Sequence, residues 1–430
     1  MKVKKGNQIM QYKRDKSSID EIANIISQNG GRLYLVGGAV RDELLNKTIH
    51  DEDYCVVGID KETFKNLFPD SYIVGKSFNV FQIDGNEFAL ARKERKTGIG
   101  HKEFEITTGK EITIVEDLKR RDLTINSIAK DVISKEIIDP FDGKNDIKNK
   151  SLRATSDAFK EDPLRVYRVA RFASQLNFSV EKNTIKMMSE LKDELFTLSK
   201  ERVFVELYKA LKTDKPSIFF DVLRDADVLD VHFKEIYNLI GSLQPIKYHP
   251  EGDSYNHTML ALDNSAKLTK NLLYRYSALV HDLGKGLTPK EMYPHHYGHD
   301  ERGVKAVREL SNRIGVPNAW KKAGIIACRE HMKGGIFLKM KPSKQVEFIE
   351  RVNKSILGLE GLQIVVYSDR TRNEELSVEE KKECTFIEIG NEVLKNIDGK
   401  YIKERYNIRD GIEFGEKLHK ERVNYIKKLL

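Results

Sequence analysis

The sequence predicts an α+β fold up to about residue 140 and an all-α fold from about residue 152 onwards. Two observations carry this prediction. Short apolar runs of strand length, separated by turn residues such as Asp84 and Gly85, fill the first part. Long apolar patterns with helical spacing and few Gly or Pro residues fill the second part. With 430 residues, 40% of them hydrophobic, the chain is long enough for two or three domains with ordinary cores.

The α+β part follows an N-terminal extension, residues 1–30, to which we assign no role. Isoleucines recur at helical spacing from Ile19 to Ile26 and predict an amphipathic helix within it. The predicted strands are residues 32–36, 53–57, 72–74, 79–83 and 87–91. Residues 39–45 are predicted to be helical. We expect the stretch 31–150 to form one domain.

The all-α part divides into three predicted regions. They are a helical neck and body at residues 151–245, a histidine-rich region at residues 246–375 and a basic helical tail at residues 376–430. A loop containing Pro245 and Pro250 separates the first region from the second. Six of the eleven histidines lie between His257 and His331, which makes the second region a candidate functional site.

Charge and cysteine content limit the classes of protein to which this chain can belong. The formal net charge of +8 fits a polyanionic partner such as nucleic acid, although a Lys-rich solvated surface explains it equally well. Cys55, Cys328 and Cys384 are far apart and odd in number, which argues against a disulfide framework and a structural zinc site. No stretch approaches the ~18 consecutive apolar residues of a membrane span, and residues 1–16 lack an apolar signal core. We therefore expect a cytoplasmic protein with no membrane partner.

The first candidate site starts at two glycines after the first strand. Gly37 and Gly38 open a helix without side chains, so backbone amides there can approach a phosphate closely. Arg41 follows about one helical turn later, within reach of the same phosphates or of a ribose. A glycine pair alone is usually only a turn, and the residues that follow decide its meaning.

Two carboxylates come next, at Asp51 and Asp53. Side chains alternate along a strand, so both point to one side and Glu52 points away. Neighbouring carboxylates repel each other unless a cation lies between them, and their hard oxygen atoms suit Mg²⁺. A pair of such ions can catalyse phosphoryl transfer, one activating a 3′-hydroxyl and the other stabilising pyrophosphate. We therefore predict Asp51 and Asp53 as catalytic metal ligands, with Glu87 as a candidate third carboxylate.

A pair of arginines lies further along the chain. Arg120 and Arg121 precede an Asp/Thr/Asn cluster and can bind a triphosphate while that cluster orients a sugar. By itself, such a stretch is often only a helix cap with solvated arginines. The interpretation as a triphosphate site depends on the motifs around it.

A third stretch combines an acidic helix start with regularly spaced arginines. Asp162 precedes a proline that predicts the first turn of a helix. Arg165, Arg168 and Arg171 recur every three residues and share one broad face. Asp162 and Arg165 can present an acceptor and a donor to the edge of a base, so that protein side chains select the nucleotide without a template. The alternative is a well-capped helix with an exposed basic stripe.

These motifs, in this order, resemble those of the bacterial CCA-adding tRNA nucleotidyltransferases, which share their head domain with bacterial poly(A) polymerases. The matching stretches are GGAVRD (37–42), DED (51–53), RRDLTINSIA (120–129), EDPLRVYRVARFA (161–173) and ERVFVEL (201–207). The resemblance covers the chain from about residue 33 nearly to its end. It implies a polymerase-β-like nucleotidyltransferase head with a mixed sheet, followed by an all-α neck, body and tail.

The resemblance also implies roles for individual residues and their substrates. It implies that Asp51 and Asp53 bind the head metal, Mg²⁺, and that CTP and ATP are the nucleotides. It implies nucleotide contacts by Gly38, Arg41, Arg121, Arg168 and Arg171, with Asp162 and Arg165 as the base-reading pair.

The second candidate site consists of histidines and aspartates. His281 and Asp282 are adjacent at a predicted helix end, and a distant His257 and Asp369 can complete a metal site in a helical bundle. Mixed nitrogen and oxygen ligands suit transition metals such as Ni²⁺, Co²⁺ or Zn²⁺ better than Mg²⁺. A metal-bound water with a lowered pKa can attack a phosphoester. We therefore predict a phosphohydrolase centre, with His281 and Asp282 as its catalytic residues.

Other histidines are weighed separately. We consider His296, His299 and His331 as additional ligands or phosphate contacts. His101, His232 and His419 are expected to be ordinary core or surface residues. The order of the ligands resembles that of the HD phosphohydrolase superfamily. The fusion of such a domain behind the neck resembles the multifunctional members of the CCA-adding family. That resemblance implies phosphatase, 2′-nucleotidase and 2′,3′-cyclic phosphodiesterase activities.

Four functions remain open at this point. The favoured one is addition or repair of the CCA end of tRNA, with the acceptor arm bound by a monomer or a homodimer. The second is a narrower enzyme: an A-adding enzyme, a CC-adding enzyme or a poly(A) polymerase. The resemblance implies a short segment before the RRD motif in CC-adding enzymes, so the full connection at residues 93–117 argues against CC-only addition. It also implies that poly(A) polymerases of this class usually lack the histidine-rich half, which argues against that enzyme. Gly98 and Gly100 are candidate points of movement in the connection. The third is an HD phosphohydrolase whose front half only binds RNA, and the fourth is a structural RNA-binding protein.

Overall fold

The computed structural model describes residues 18–49, 51–74, 80–96, 104–247, 249–371 and 376–430. The predictions for the first half of the N-terminal extension, Asn79, His101, Gly98 and Gly100 lie outside these residues. The chain divides into two compact units, Met1–Glu161 and Asp162–Leu430. The predicted boundaries at residues 30, 245 and 375 stay predictions.

The first unit contains most of the strands. Its helices are α1 (Ile19–Gln28), α2 (Gly38–Leu44), α3 (Lys61–Leu67), α4 (Ile114–Lys119) and α5 (Gly143–Lys148). Its strands are β1 (Arg32–Val36), β2 (Asp53–Val57), β3 (Tyr72–Val74), β4 (Val80–Ile83), β5 (Asn86–Leu90), β6 (Arg92–Lys96), β7 (Phe104–Thr108), β8 (Ala129–Asp131), β9 (Ile137–Ile138) and β10 (Ser151–Leu152). Short 3-10 helices span Thr124–Asn126 and Asp157–Glu161. The five predicted strands and the helix predicted at residues 39–45 are confirmed, with ends that agree within one residue where they are described. The helix predicted from the isoleucine pattern is confirmed as α1, which extends to Gln28.

Within the described residues, one mixed sheet has the strand order β3-β4-β5-β2-β1-β8-β9. Its neighbouring strands are antiparallel except for β2 and β5, which run parallel. One face packs on α1 and α3 through residues such as Ile22, Phe64 and Phe88. The other face forms a second core that includes Cys55 and Leu118. Strands β6 and β7 form a separate antiparallel pair.

Helix α1 shows that part of the N-terminal extension packs with the head. Ser18 and Glu21 form a capping box, in which the Glu21 amide donates to the Ser18 hydroxyl at 3.2 Å. Ile22 and Ile26 are buried in the same cluster as the residues of the central strands. The second half of the extension therefore contributes apolar burial to the sheet, which the sequence pattern alone did not indicate.

In its described residues, the second unit is helical apart from the two-residue strand β11 (Ser179–Val180). Its first helices are α6 (Leu164–Leu176), α7 (Lys182–Glu190), α8 (Lys200–Leu211), α9 (Ser217–Asp225), α10 (Leu229–His232) and α11 (Lys234–Tyr237). They are followed by α12 (Ser254–Leu268), α13 (Leu272–Val280), α14 (His299–Arg313), α15 (Asn318–Gly335), α16 (Pro342–Asn353) and α17 (Gly358–Arg370). The last helices are α18 (Val378–Cys384), α19 (Ile387–Asn396), α20 (Gly399–Arg405) and α21 (Gly411–Leu429). Short 3-10 helices span Lys192–Thr197, Leu283–Leu287, Lys290–Met292 and Phe337–Lys339.

Helices of this unit pack into one bundle, and the tail helices extend it. Helices α12, α13 and α17 contact one another, α15 packs on α13 and α17, and α14 lies against α15. The tail helices α19 and α21 share a core with this bundle, through buried residues such as Val393, Ile426 and Phe348. Across the described ranges, no helix combines the length and the apolar character needed to cross a membrane.

Candidate active sites

The glycine turn of the head lies between two arginines. Gly37 has a φ of 72°, and its amide donates to the Ile128 carbonyl at 3.3 Å. A Cβ built on Gly37 would lie 3.0 Å from Arg121 Nη1, and one on Gly38 would lie 3.5 Å from Arg41 Nη2. The missing side chain of Gly37 therefore leaves room for the Arg121 guanidinium, whereas a Cβ on Gly38 would make only an ordinary contact with Arg41.

Arg41 is held in place by two neighbours. It is buried, its Nη1 donates to Asn126 Oδ1 at 2.7 Å, and its Nε donates to Asp42 Oδ1 at 2.9 Å. Asn126 belongs to the RRDLTINSIA stretch, so two motifs that are distant in sequence meet at this arginine. The cluster of backbone amides and guanidinium groups is suited to an anion such as a triphosphate.

The carboxylates lie on the neighbouring strand. Asp53 begins β2 and is in register with Val36 on β1 and with Glu87 on β5. Residues paired in this way have side chains on the same face of a sheet, so Glu87 lies beside Asp53. Asp51, Asp53 and Glu87 are all exposed to solvent. This arrangement fits a divalent cation bound by exposed oxygen atoms.

The electrostatics of Asp53 agree with a need for a cation. Partial burial raises the pKa of Asp53, although the residue is also exposed to solvent. The charge of Arg121 lowers this pKa, and the charge of Asp51 raises it. Glu52 behaves differently, because the Tyr54 hydroxyl donates to it at 2.7 Å and the Tyr54 ring stacks on Phe88 in the opposite core. Glu52 is therefore directed away from the Asp53 face, as the alternation along the strand predicts.

A buried carboxylate organises both arginines of the RRD motif. Asp117 on α4 is 1% exposed, and it accepts from Arg120 Nη2 at 2.7 Å and from Arg121 Nη2 at 3.0 Å. Burial tends to raise the pKa of Asp117, but the two guanidinium groups outweigh it and lower the pKa to about 2. Asp117 therefore fixes Arg121 in position next to the glycine turn.

The base-reading candidates lie on the second unit at the start of α6. Asp162 Oδ1 accepts from the Leu164 amide at 3.0 Å, and Oδ2 accepts from Arg202 Nη2 at 3.0 Å. Arg165 is buried and Arg168 is partly exposed. Hydrogen bonds to both carboxylate oxygens therefore fix the orientation of Asp162. A selective contact to a base requires such a fixed orientation.

Arg171 has strong partners within its own unit. Its Nε donates to Glu206 Oε2 at 2.6 Å and its Nη1 donates to Gln175 Oε1 at 2.9 Å. Its guanidinium also lies 3.7 Å from the centroid of the Phe172 ring. These contacts join α6 to α8. The nucleotide contact of Arg171 stays a prediction.

The histidine–aspartate doublet lies where α13 ends. His281 caps the helix, and Asp282 leads into the 3-10 helix Leu283–Leu287. A Cβ on Gly284 would overlap the backbone carbonyl oxygen of His299, so a glycine is needed for this turn to lie against the start of α14.

The four predicted ligands of the second site come together. His257 Nε2 lies 2.9 Å from Asp369 Oδ1 and 3.5 Å from Asp282 Oδ2. His281 Nε2 lies 3.4 Å from Asp282 Oδ2 and 3.5 Å from Asp369 Oδ1. One ligand atom from each residue lies within 4.8 Å of those of the other three. The residues come from α12, the end of α13 and α17, so only the bundle brings them into contact.

The surroundings of these residues fit a metal ion. His257 Nδ1 pairs with Glu251 Oε1 at 2.6 Å and His281 Nδ1 donates to the Ala278 carbonyl at 2.7 Å, which leaves both Nε2 atoms facing the carboxylates. His281 Nε2 and Asp282 Oδ1 are buried without a hydrogen-bond partner among the described residues, whereas Asp282 Oδ2 is paired with the Lys285 ammonium at 2.5 Å. Burial lowers the pKa of His281, but the nearby carboxylates outweigh it and raise the pKa to about 10. The cluster therefore favours a bound cation.

The three additional histidines behave differently. His299 Nε2 and His331 Nε2 each lie 3.3 Å from Asp282 Oδ1. His296 instead pairs with Thr288 Oγ1 and with the Leu243 carbonyl, both at 2.9 Å. His299 and His331 thus belong to the cluster, whereas both ring nitrogens of His296 are engaged elsewhere.

Three stretches of the chain match protein-family models. Residues 33–153 match the Poly A polymerase head domain, residues 177–239 match the family described as "Probable RNA and SrmB-binding site of polymerase A", and residues 254–355 match the HD domain. The Multifunctional CCA protein of Mannheimia succiniciproducens is 45% identical over 332 residues, which cover 74% of this chain and 78% of that protein. The Multifunctional CCA protein of Shewanella frigidimarina is 46% identical over 307 residues, covering 70% and 73%.

The chain belongs to the multifunctional CCA protein family. Solved structures agree with the fold of this family. A CCA-adding enzyme in its apo form II has a TM-score of 0.63 at 18% identity, covering 94% of this chain and 90% of that chain. The Thermotoga maritima CCA-adding enzyme complexed with tRNA has a TM-score of 0.61 at 19% identity, covering 94% and 89%.

Membership of the CCA family confirms the predicted class of enzyme: a nucleotidyltransferase head followed by an HD domain. The polymerase-β-like α+β head and the helical remainder are confirmed as well. The individual site residues remain predictions, supported by the geometry above.

Several residues of these sites were missed by the sequence analysis. Asp117 precedes Arg121 by four positions, and that helical spacing was a signal for their contact. Lys285 follows Asp282 by three positions, and its ammonium lies 2.5 Å from Asp282 Oδ2. Glu251 and Arg202 had no comparable signal, because their contacts depend on how separate elements pack.

The contact of Asp117 with Arg120 and Arg121 leads to a testable prediction about the stability of this protein. The folded pKa of about 2 is below the ordinary value, so ionised Asp117 stabilises the fold above about pH 4 and loses this effect as the pH falls towards 2. We expect Asp117→Asn to lower the free energy of unfolding at pH 7 by about 2 kcal/mol. Urea unfolding followed by circular dichroism measures this change.

The same measurement has a matched control. Glu62→Gln removes an exposed carboxylate from the first turn of α3 and should change the free energy of unfolding little. The difference between wild type and Asp117→Asn should shrink when the pH is lowered from 7 to 3. A difference that stays constant over this range would contradict the ionic role of Asp117.

Proposed function

We propose that this chain adds or repairs the 3′-terminal CCA of tRNA, using CTP and ATP without a nucleic-acid template and releasing pyrophosphate. We further propose that its HD cluster hydrolyses phosphoesters. The observation that carries the first part is the position of Arg121, which approaches the Gly37 turn and acts on the charge of Asp53. An anion-binding turn and a cation-binding carboxylate are then side by side, as nucleotidyl transfer from a triphosphate requires.

In the proposed reaction, the triphosphate lies on the glycine turn. Amides at Gly38 and the guanidinium groups of Arg41 and Arg121 neutralise its charge and orient it. The 3′-oxygen of the tRNA forms a bond to the α-phosphorus, the bond to the bridging oxygen breaks, and pyrophosphate leaves. The hydroxyl proton passes to solvent water in the same process.

Asp51 and Asp53 would hold Mg²⁺ in the head, with Glu87 as a third carboxylate. When bound, Mg²⁺ supplies charge stabilisation for the attacking and the leaving oxygens. The carboxylates fit this ion because they are exposed, adjacent in the sheet and acceptor-only.

Selection between CTP and ATP is assigned to the start of α6. Asp162 and Arg165 would read the base, with Arg168 and Arg171 as further nucleotide contacts. The support for this assignment is the fixed orientation of Asp162 between the Leu164 amide and Arg202. The net charge of +8 supports binding of the tRNA acceptor arm through its phosphates. A cytoplasmic location follows from this substrate.

The HD cluster would act on phosphate esters as phosphatase, 2′-nucleotidase and 2′,3′-cyclic phosphodiesterase. His257, His281, Asp282 and Asp369 would hold a divalent transition metal such as Ni²⁺, because their donor set mixes nitrogen and oxygen. When bound, such a metal supplies Lewis acidity towards phosphate and an activated water. A cavity of about 350 Å³ next to the cluster, lined by residues that include His249, Lys285 and His299, offers a place for the ester.

The test of the proposed function is extension of a labelled tRNA that ends before CCA. The reaction contains Mg²⁺ and either CTP, ATP or both. Addition of two C residues and then one A supports CCA synthesis. Addition of A alone to a tRNA that already ends in CC would make this an A-adding enzyme. No extension, together with hydrolysis of a phosphodiester, would leave the HD phosphohydrolase as the function.

A further inference from the structure

We propose that the rings of His295 and Tyr297 form a platform on which the base of a nucleoside phosphate stacks while the HD cluster hydrolyses its ester. Both residues lie in the loop 293–298 before α14, and both line the cavity of about 350 Å³ next to the cluster. The inference rests on the phosphoester hydrolysis proposed for this cluster. It adds the part of the substrate that the cluster itself does not contact.

The two rings of the platform are stacked and exposed to solvent. Their centroids are 5.5 Å apart and their planes differ by 18°. Tyr297 is 72% exposed, and His295 is exposed as well. A single exposed ring is ordinary on a protein surface, but two nearly parallel rings that line one cavity give a flat apolar surface beside a binding site. Nucleic-acid bases stack on aromatic surfaces of this kind.

Hydrogen bonds hold the backbone that carries the platform. Arg302 Nη1 donates to the Tyr297 carbonyl at 2.8 Å, and Arg302 Nη2 donates to Thr288 Oγ1 at 2.9 Å. His296, which lies between the two rings in the sequence, pairs with Thr288 Oγ1 and with the Leu243 carbonyl, both at 2.9 Å. The loop is therefore fixed on both sides of its second ring. A surface that is ordered before the ligand binds lowers the entropy cost of binding.

The lining of the cavity combines groups that suit a phosphate with groups that suit a base. Lys285 and His299 belong to the side of the HD cluster, since they lie 2.5 Å and 3.3 Å from the oxygens of Asp282. A cation in this position attracts the phosphate of an ester. Met332 on α15 is 49% exposed and lines the same cavity, so its thioether adds to the apolar surface of the platform. The cavity thus complements both ends of a nucleoside phosphate.

The size of the cavity limits how much of a nucleic acid it can hold. Small-molecule sites typically measure roughly 300–1,000 Å³. The cavity of about 350 Å³ lies at the lower end of this range, which suits one nucleotide rather than several. Stacking tolerates any base because every base has a π-face, so the platform should accept all four bases. The ligand is therefore one nucleoside phosphate, either free or at the end of an RNA.

Steady-state hydrolysis of adenosine 2′-phosphate by the full chain, in the presence of Ni²⁺, tests the platform. Tyr297→Ala should raise the KM about tenfold, because one stacking contact to the base is lost. Its kcat should stay within about twofold of wild type, since the ring contacts the base and not the reacting ester. Inorganic phosphate lacks a base, so its Ki as an inhibitor should also stay within about twofold. Tyr297→Phe keeps the ring and should restore the low KM.

The matched control is Tyr237→Ala, which removes another exposed tyrosine of the same unit that does not line the cavity. Its KM should equal that of wild type. An unchanged KM in Tyr297→Ala, a Tyr297→Phe chain with an equally high KM, or a parallel rise in the Ki of phosphate would overturn the platform and leave the phosphohydrolase intact. A wild-type chain that releases no phosphate would overturn both proposals. Circular dichroism shows whether each chain is folded.

A second substrate distinguishes the two sources of the ligand. It is a trinucleotide that ends in the same adenosine 2′-phosphate. A wild-type KM below that of the free nucleotide identifies the end of an RNA as the ligand, and an equal or higher KM identifies the free nucleotide. In both cases Tyr297→Ala should raise the KM of the preferred substrate. A KM that stays constant for that substrate would overturn the platform.

Discussion

Replacing Asp53 by alanine should lower the rate of nucleotide addition to tRNA by about three orders of magnitude or more. The carboxylate begins β2 next to Glu87 and within the field of Arg121, where it would bind the head Mg²⁺. Loss of this ligand removes several kcal/mol of charge stabilisation at the transferring phosphate, and each 1.36 kcal/mol corresponds to a factor of ten. Single-turnover extension of tRNA at saturating CTP measures the change.

The neighbouring acidic residue is the control for this prediction. Glu52→Gln removes a negative charge only one position away, but that side chain is bound to the Tyr54 hydroxyl and is directed towards the other face. We expect extension by Glu52→Gln to stay within about threefold of wild type. If Asp53→Ala extends tRNA normally, or Glu52→Gln is as inactive as Asp53→Ala, the assignment of the catalytic carboxylates is wrong.

Asp282→Asn should abolish phosphoester hydrolysis and leave addition to tRNA unchanged. This carboxylate lies within 3.5 Å of four imidazoles: His257, His281, His299 and His331. The amide keeps the shape but removes the charge that attracts a cation, so we expect a loss of about a thousandfold or more in hydrolysis. Release of phosphate from a 2′-nucleotide in the presence of Ni²⁺ measures the activity.

Retained addition to tRNA shows that the Asp282→Asn chain is folded. Asp300→Asn is the matched control, because Asp300 lines the same cavity at the first turn of α14 without belonging to a ligand cluster. We expect its hydrolysis to stay within about fivefold of wild type. Hydrolysis by Asp282→Asn at the wild-type rate would contradict a metal site at this position. Together with Asp53→Ala, this variant separates the two activities of the chain.

Local elements of the head were predictable because short-range rules decide them. The alternation of side chains in a strand placed Asp53 and Glu52 on opposite faces, and the structure has them so. Isoleucines at helical spacing predicted α1. The proximity of Glu87 to Asp53 does not follow from such short-range rules. It depends on the parallel pairing of β2 with β5, which no local pattern specifies.

For the HD cluster, the sequence by itself determined the types of ligand and their order along the chain. The chemistry of the donor atoms then predicted a transition-metal site, without reference to distances. The same analysis left His296, His299 and His331 equivalent, because all three imidazoles have the same donor atoms. Which of them would reach Asp282 was not determined.

Only the tertiary structure decided between these histidines. His299 and His331 are 32 positions apart on α14 and α15, and the packing of those helices brings their Nε2 atoms to 3.4 Å. Backbone carbonyls direct both rings towards Asp282, whereas Thr288 and the Leu243 carbonyl engage both nitrogens of His296. The sequence determined which atoms can bind a metal, because that is a property of each side chain. The fold decided which of them lie against Asp282, because that depends on the packing of α14 on α15 and on the contact of His296 with the Leu243 carbonyl, 53 positions away.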